Sequence, residues 1–256
     1  MKTTQIAAQL FTLRNHIQNP ADIAASLKKV RQIGYQAVQV SGMGPIEEAE
    51  LSRMLAGEGL VCCATHEPGA KILDETETVI ARLRKLNCRY TAYPYPGNLD
   101  FGSLPTVLDL ATKLDQAGQR LREAGMVLTY HNHAMEFQRL ENKTAMDWLY
   151  EKTDARNLQG EIDTYWVQHG GCDPVAWCRK LNRRLPLIHL KDYTVIGGRP
   201  SFAPVGHGNL DMPAIVNAAD AAGCEWFIVE QDDCYGADPF EALAHSYRYL
   251  ETLARK

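Results

Sequence analysis

The sequence predicts a single (β/α)8 barrel domain, a TIM barrel of the α/β class, over residues 1–256. Short apolar runs rich in Val, Ile and aromatic residues alternate with longer segments of helical period, and this alternation repeats eight times. Eight strand–helix units in about 250 residues are typical of this barrel. The competing fold, an open doubly wound sheet, often has a glycine-rich phosphate loop after its first strand, whereas residues 11–19 contain no glycine.

The individual elements follow from the same periodicity, and each helix has recognisable ends. The first helix begins with Pro20 and Asp22 in its first turn and stops at Gly34. The predicted strands are 4–10, 37–40, 61–66, 90–93, 126–132, 158–163, 185–191 and 225–231. The predicted helices are 20–33, 46–59, 74–87, 104–125, 144–153, 173–181, 212–223 and 239–255.

Composition and charge exclude several classes of protein. The formal net charge is -4, so the chain has no general basic surface for phosphates, and we expect no nucleic-acid partner. The seven cysteines are scattered without C-x-x-C pairs, which is typical of reduced thiols. No run approaches 18 apolar residues, and the N-terminal apolar segment is too short for a signal peptide. We therefore expect a cytoplasmic protein without a membrane partner.

Polar side chains lie at the ends of most predicted strands. In a (β/α)8 barrel the active site lies at the C-terminal ends of the strands, so these side chains should converge there. Burying them without partners would be unfavourable by several kcal/mol, on the order of known desolvation costs. The residues are Gln9, His66, Tyr93, His131, Asn132, His133, Asp163, His189, Lys191, Glu230 and Gln231.

Asp163, His189 and Glu230 form the strongest candidate site. They end the sixth, seventh and eighth predicted strands, and an imidazole with two carboxylates suits a divalent ion such as Mn²⁺, Co²⁺ or Zn²⁺. Any one of them could instead be a buried polar side chain whose hydrogen bonds are all made within the core. Three such groups at equivalent ends of consecutive strands favour a metal site.

A fourth ligand should come from the fifth strand, where the sequence reads YHNHAMEF. His131 and His133 have the same parity and so point to one side of an extended segment. Glu136 lies just past the strand, on a loop that could fold back over the barrel mouth. From the residues alone, all three remain candidates, against the alternative of a hydrogen-bonded turn.

Five further residues could contact a substrate. His66 could bind a sugar hydroxyl or cap a strand end, and Lys191 shares the direction of His189 and could polarise a substrate oxygen. Trp166 could supply an apolar wall for a sugar face or belong to the core. Gln9 and Tyr93, at the ends of the first and fourth strands, complete the predicted substrate-binding set.

The motifs together resemble the sugar phosphate isomerase/epimerase superfamily with a xylose isomerase-like TIM barrel, in a branch marked by YHNHxxEF. The resemblance covers most of the chain and is dense from about residue 126 onward. The matching motifs are YHNHAMEF, GEIDTYWV, LIHLKDY, PVGHGNLDMPAI and FIVEQDDCYGADPFEALAHSYRYL.

This resemblance implies one divalent metal ion, Mn²⁺, Zn²⁺ or Co²⁺, and no organic cofactor. Its ligands would be two glutamates, an aspartate and a histidine at the ends of strands five to eight; Asp163, His189 and Glu230 match three of these places. Many relatives have the remaining glutamate at the end of strand five, where this chain has His131. The resemblance therefore favours Glu136 as the fourth ligand, with His131 and His133 lining the substrate pocket.

The implied reaction is isomerisation or epimerisation of a sugar or keto-sugar. A metal ion that chelates a carbonyl and the adjacent hydroxyl acidifies the neighbouring C–H, and its removal gives an enediolate. Glu136 and Glu230 would act as acid and base, with His66 and Lys191 orienting oxygens. The alternative is a metal-dependent carbon–oxygen lyase, either an inosose-type dehydratase or a keto-glycoside lyase.

Two other classes remain open. A DNA-repair endonuclease with three zinc ions shares this barrel, but eight histidines and a net acidic charge count against it. A non-catalytic sugar-binding protein would need no metal. The expected partner is a small-molecule sugar, and the chain could form a homo-oligomer.

Overall fold

The computed structural model describes residues 1–254, and its centre is a closed barrel of eight parallel strands, which confirms the predicted fold class. Around the barrel the strands run in the order β1, β12, β9, β8, β5, β4, β3, β2. They are β1 (Ile6–Gln9), β2 (Ala37–Val40), β3 (Val61–His66), β4 (Tyr90–Tyr93), β5 (Val127–His131), β8 (Leu158–Asp163), β9 (Leu187–Leu190) and β12 (Trp226–Val229).

Two small antiparallel hairpins stand on the strand-to-helix connections. One follows β5 and the other follows β9, and the sequence periodicity predicted neither. They pair β6 (Arg139–Leu140) with β7 (Lys143–Thr144), and β10 (Asp192–Ile196) with β11 (Arg199–Ala203).

The helices surround the barrel. They are α1 (Pro20–Ile33), α2 (Glu48–Gly57), α3 (Gly69–Asp74), α4 (Thr76–Lys85), α5 (Leu104–Glu123), α6 (Ala145–Glu151), α7 (Thr164–His169), α8 (Pro174–Lys180), α9 (Met212–Ala221) and α10 (Pro239–Leu253). The short helices α3 and α7 are additional to the predicted set. Of the last predicted helix, Arg255 lies outside the described residues. None of the helices within residues 1–254 has the length and apolar character that crossing a bilayer requires.

Helix ends are set by local chemistry. The Asn19 side chain accepts from the Asp22 N–H at the start of α1, and Gly34 ends this helix with φ 127°. Thr144 and Asp147 form a reciprocal capping box at the start of α6. These ends orient the helices that pack on the barrel.

The barrel interior changes from apolar to polar along its axis. A small core cluster of strand residues fills part of the barrel, with Ala7, Leu187 and Ile228 among its members. Side chains two positions later in a strand point the same way, so Gln9, His189 and Glu230 follow these three on the same face. The apolar cluster therefore supports a layer of polar side chains at the C-terminal end of the barrel.

One buried carboxylate holds the connection after β9. Asp192 accepts hydrogen bonds from the N–H groups of Tyr193 (2.8 Å), Gly206 (2.9 Å), Gly208 (3.0 Å) and Leu210 (3.2 Å). Burial raises the pKa of Asp192, although these N–H donors act against the rise. The chain thus returns to Asp192 after the β10–β11 hairpin before α9 begins.

Candidate active site

A cavity of about 410 Å³ opens at the C-terminal end of the barrel and collects many of the predicted site residues. Its walls combine titratable groups with aromatic and proline side chains. It is lined by Phe11, Ser41, His66, Glu67, Pro68, Pro94, Tyr95, His131, His133, Lys191, Glu230 and Asp232.

Four buried residues at strand ends form the acid-rich group: His131, Asp163, His189 and Glu230. One ligand atom from each lies within 4.8 Å of the others. Nδ1 of His189 is 2.9 Å from Oε2 of Glu230 and 4.0 Å from Oδ2 of Asp163. Nε2 of His131 is also 4.0 Å from Oδ2 of Asp163. The neighbouring strands β5, β8, β9 and β12 thus bring four potential metal donors together.

Lys191 lies beside this group with its ammonium among three carboxylates. Nζ is 2.6 Å from Oε2 of Glu230, 2.9 Å from Oδ2 of Asp163 and 3.0 Å from Oδ2 of Asp232. The angle between Nζ of Lys191 and Oδ2 of Asp163 does not suit a hydrogen bond, and this oxygen accepts no hydrogen bond from residues 1–254. A buried carboxylate oxygen without a hydrogen bond is costly, and a divalent cation would satisfy it.

Burial and mutual charge shift the titrations in this group. Burial raises the pKa of Asp163 to about 6, against the effect of Lys191. Burial also acts to raise the pKa of Glu230, but Lys191 and His189 hold it well below its usual range. Burial and His189 keep the pKa of His131 well below its usual value, so His131 is a neutral imidazole with a lone pair. Burial opposes charging of Lys191 and His189, but the neighbouring carboxylates outweigh it and raise both pKa values, that of His189 to about 10.

A second cluster lies next to the first and shares two of its histidines. This histidine-rich group comprises His66, His131, Glu161 and His189. Oε1 of Glu161 is 2.5 Å from Nε2 of His66, 3.1 Å from Nε2 of His189 and 3.4 Å from Nδ1 of His131. Its other oxygen accepts from Nε2 of Gln39 at 2.7 Å.

Spacing distinguishes what the two groups could hold. Donors bound to one ion at about 2.0–2.2 Å lie roughly 3.0–3.5 Å from one another. The 2.5 Å contact between His66 and Glu161 is a hydrogen-bond distance and leaves no room for an ion between these atoms. The 4.0 Å separations around Asp163, its oxygen without a hydrogen bond and its carboxylate neighbours favour the acid-rich group over the histidine-rich group as the place for a divalent cation.

Glu136 belongs to neither cluster among residues 1–254. It lies in a 3-10 turn, Met135–Phe137, where its carboxylate is fully buried. Oε1 accepts from the Tyr130 hydroxyl at 3.0 Å, and Oε2 accepts from the His133 N–H at 2.9 Å. Burial raises the pKa of Glu136 to about 7, and these hydrogen bonds reduce the rise. The turn thus directs Glu136 to its own strand end, away from the other three predicted metal ligands.

The predicted substrate-binding residues divide between the cavity and its surroundings. His131 and His133 line the cavity, whereas Gln9 and Tyr93 are not among its described lining residues. Nε2 of Gln9 donates to Gln39 at 2.8 Å, and the Tyr93 ring stacks on Tyr130. Trp166 also lies outside the lining. Its ring centroid is 5.4 Å from that of His133, and its indole N–H has no hydrogen-bond partner in residues 1–254.

Sequence reasoning missed Glu161, Gln39 and Asp232. Glu161 precedes Asp163 by two residues and shares its direction, so the parity rule could have identified it. Gln39 is the polar residue within the four-residue strand AVQV, which is a recognisable signal in a buried strand. Asp232 lies beyond the end of β12, and its contact with Lys191 depends on the path of the following loop.

Comparison with curated proteins identifies dehydratases among the relatives. The inosose dehydratase of Lacticaseibacillus casei is 29% identical over 159 residues, which cover 56% of this chain and 53% of that protein. The rhizopine catabolism protein MocC of Rhizobium meliloti is 26% identical over 268 residues, covering 90% of this chain and 80% of that protein. The chain thus spans about half the length of the inosose dehydratases that it matches first.

Comparison with solved structures and with family models gives the same fold. A sugar phosphate isomerase/epimerase from Parabacteroides distasonis superposes with a TM-score of 0.84 at 20% identity, covering 100% of this chain and 96% of that one. An L-ribulose 3-epimerase superposes with a TM-score of 0.76 at 16% identity, covering 99% and 94%. The family model described as xylose isomerase-like TIM barrel matches residues 27–253. With a closed parallel barrel and this match over most of its length, the chain belongs to the xylose isomerase-like TIM barrel family.

Proposed function

We propose that this protein is a divalent-metal-dependent carbon–oxygen lyase that dehydrates a keto-sugar or a cyclic keto-polyol. The observation that carries the proposal is the direct contact of Glu230 and Lys191, a base and an acid that both line the cavity. The dehydratase relatives support the same reaction class.

His131, Asp163, His189 and Glu230 would hold the ion. His131 then takes the strand-five place for which the sequence favoured Glu136, because its Nε2 faces Asp163 whereas Glu136 is bonded within its own turn. Mixed imidazole and carboxylate donors suit Mn²⁺, Co²⁺ or Zn²⁺. When bound, the ion polarises the substrate carbonyl and acidifies the neighbouring C–H.

The protein's own groups move the proton. Glu230 takes the proton from the carbon beside the carbonyl, and Lys191 gives a proton to the β-hydroxyl, which leaves as water. Glu230 then passes the proton it took to Lys191 across their 2.6 Å contact, so both groups return to their starting protonation states and one water is released. Asp232 keeps the ammonium in place at 3.0 Å, and His66 and His133 border the cavity where they can orient substrate hydroxyls.

Aldose–ketose isomerisation is the second candidate, since it also uses proton transfer on one face of the substrate. Epimerisation needs acid and base groups on opposite faces. The second carboxylate expected for that role, Glu136, is fully buried and is not among the described residues that line the cavity. Glu230 and Lys191 instead touch one another, which favours reactions confined to one face.

Mass spectrometry in D₂O separates these reactions. The Mn²⁺-loaded protein is incubated with a 2-keto-inositol and with a panel of aldoses and ketoses, with and without chelator. We expect a metal-dependent product lighter than its substrate by one water. A product that chromatography separates from its substrate and that has the substrate's mass, with or without added deuterium, would establish isomerisation or epimerisation in place of dehydration.

A further inference from the structure

One oxygen of Glu161 meets three imidazole rings in the barrel interior. Oε1 is 2.5 Å from Nε2 of His66, 3.1 Å from Nε2 of His189 and 3.4 Å from Nδ1 of His131. Glu161 and His189 are fully buried, and His131 is 3% exposed. A buried carboxylate next to three imidazoles constrains which ring nitrogens carry protons.

His131 and His189 present opposite nitrogens to Glu161 and to the acid-rich group. His131 directs Nδ1 toward Glu161 and Nε2 toward Asp163. His189 directs Nε2 toward Glu161 and Nδ1 toward Asp163 and Glu230. An imidazole that gives its N–H to a carboxylate on one side keeps a lone pair for a metal ion on the other.

The Glu161 carboxylate is itself held in place. Its Oε2 accepts from Nε2 of Gln39 at 2.7 Å. The Gln39 carbonyl oxygen accepts from Nε2 of Gln9 at 2.8 Å and lies 2.6 Å from Nε2 of His189. Because Gln39 is bonded on both sides, the carboxylate has one orientation, and Oε1 is fixed where the three rings converge.

We propose that Glu161 is the positioning residue of the metal centre. Its Oε1 faces Nδ1 of His131 at 3.4 Å and Nε2 of His189 at 3.1 Å, and so favours the ring orientations that present Nε2 of His131 and Nδ1 of His189 to a divalent ion. Nε2 of His189 donates to Gln39 at 2.6 Å, whereas Nδ1 of His131 has no hydrogen-bond partner in residues 1–254, so the charge of Glu161 acts on His131 without a hydrogen bond. Glu161 does not bind the ion. This inference rests on the proposed function, in which the acid-rich group holds the metal, and it names a determinant of metal affinity outside the ligand set.

Metal titration of a variant tests this role without measuring turnover. In Glu161→Gln the side chain keeps its size but loses its charge. We expect Co²⁺ affinity, followed by the visible absorption of bound Co²⁺, to fall about 10–100-fold, and the spectrum to change. Asp147→Asn is the matched control, because Asp147 is another buried carboxylate but caps α6 outside the barrel; its Co²⁺ affinity should equal that of the unmodified chain.

The Co²⁺ titration distinguishes failure of the Glu161 positioning role from failure of the proposed metal-dependent function. Unchanged affinity and spectrum in Glu161→Gln overturn the positioning role alone. A chain of natural sequence that binds no Co²⁺ overturns the metal-dependent function and this inference with it.

Imidazole ¹⁵N NMR of the Zn²⁺-loaded natural sequence tests the same positioning role and does not depend on the folding of a variant. We expect metal-bound Nε2 and protonated Nδ1 on His131, and metal-bound Nδ1 and protonated Nε2 on His189. Zinc bound to Nε2 of His66 or to Nδ1 of His131 would place the ion in the histidine-rich group. Glu161 would then be a ligand, and the proposal would be overturned.

Discussion

Nζ of Lys191 lies 2.6 Å from Oε2 of Glu230, with the two side chains only 1% and 4% exposed. Such a buried pair is strongly coupled, since removing either partner leaves the other as an uncompensated buried charge. The pair lies at the ends of neighbouring strands β9 and β12. Replacing Glu230 and replacing Lys191 should therefore have different effects on activity and stability.

Replacing Glu230 with Gln should abolish most of the activity. The amide is a poorer metal ligand and cannot accept the substrate proton, so turnover should fall by at least about 100-fold. Steady-state kinetics on the substrate identified by mass spectrometry measures this. Glu225→Gln is the control on the same segment, because Glu225 is half-exposed and precedes β12 at the opposite end of the barrel. Near-normal turnover of Glu230→Gln would refute its role as the base.

Replacing Lys191 with Met should lower the stability of the metal-free protein. Three carboxylates then lose their shared ammonium, at a cost of about 3–5 kcal/mol in the free energy of unfolding. Urea unfolding measures this change. Added Mn²⁺ should restore more stability to Lys191→Met than it adds to the unmodified chain, because the ion neutralises the freed carboxylates. Equal stabilisation by Mn²⁺ in both proteins would contradict the shared charge balance.

His131 and Glu136 can be compared directly as strand-five ligands. His131→Ala should weaken Mn²⁺ binding at least about tenfold, because it removes a donor 4.0 Å from Asp163. Glu136→Gln should change the affinity by less than about threefold, since its carboxylate is bonded to Tyr130 and His133. Equilibrium dialysis with metal analysis gives both values. The reverse result would restore Glu136 as the ligand.

The Glu136 carboxyl should make stability depend on pH. Burial raises its pKa to about 7 from a usual 4.5, so the folded protein binds this proton more tightly than the unfolded chain. The resulting stabilisation is fully present below about pH 4.5 and is lost as the pH rises through about 7, for a total of about 3 kcal/mol.

Urea unfolding of the metal-free protein between pH 4.5 and 7 tests this sign. The slope of stability against pH in this window should be less negative in Glu136→Gln, where the group cannot titrate. Parallel profiles for the two proteins would show that Glu136 titrates normally in the folded chain.

The sequence was sufficient for the barrel and for the grouping of polar side chains at the strand ends. Apolar runs ending in Asp163, His189 and Glu230 predicted three neighbouring groups, because parallel strands in a barrel have their C-terminal ends on one rim. Strand bounds differ from the predicted ones by two residues or fewer, since ends fray where hydrogen bonding stops.

The position of Glu136 could not be read in the same way. A residue in a strand has its direction fixed by parity, but Glu136 follows the strand and depends on the 3-10 turn that places it against Tyr130. Asp232 illustrates the same limit after β12, because its distance to Lys191 depends on a loop. Glu161 differs from both, since its parity with Asp163 in the GEID segment could have shown from the sequence that it faces the interior.

Asp192 anchors both ends of the connection that carries the β10–β11 hairpin, so the hairpin is held independently of the side chains at the barrel rim. Lys191 and its neighbours stay with the barrel rim, while the chain from Tyr193 to Leu210 leaves and returns to one carboxylate. At the hairpin tip, Val195 and Ile196 are more than half exposed. Substitutions at this tip should therefore leave the proposed catalytic groups in place. The hairpin tip is therefore the part of this connection that should best tolerate a change of sequence.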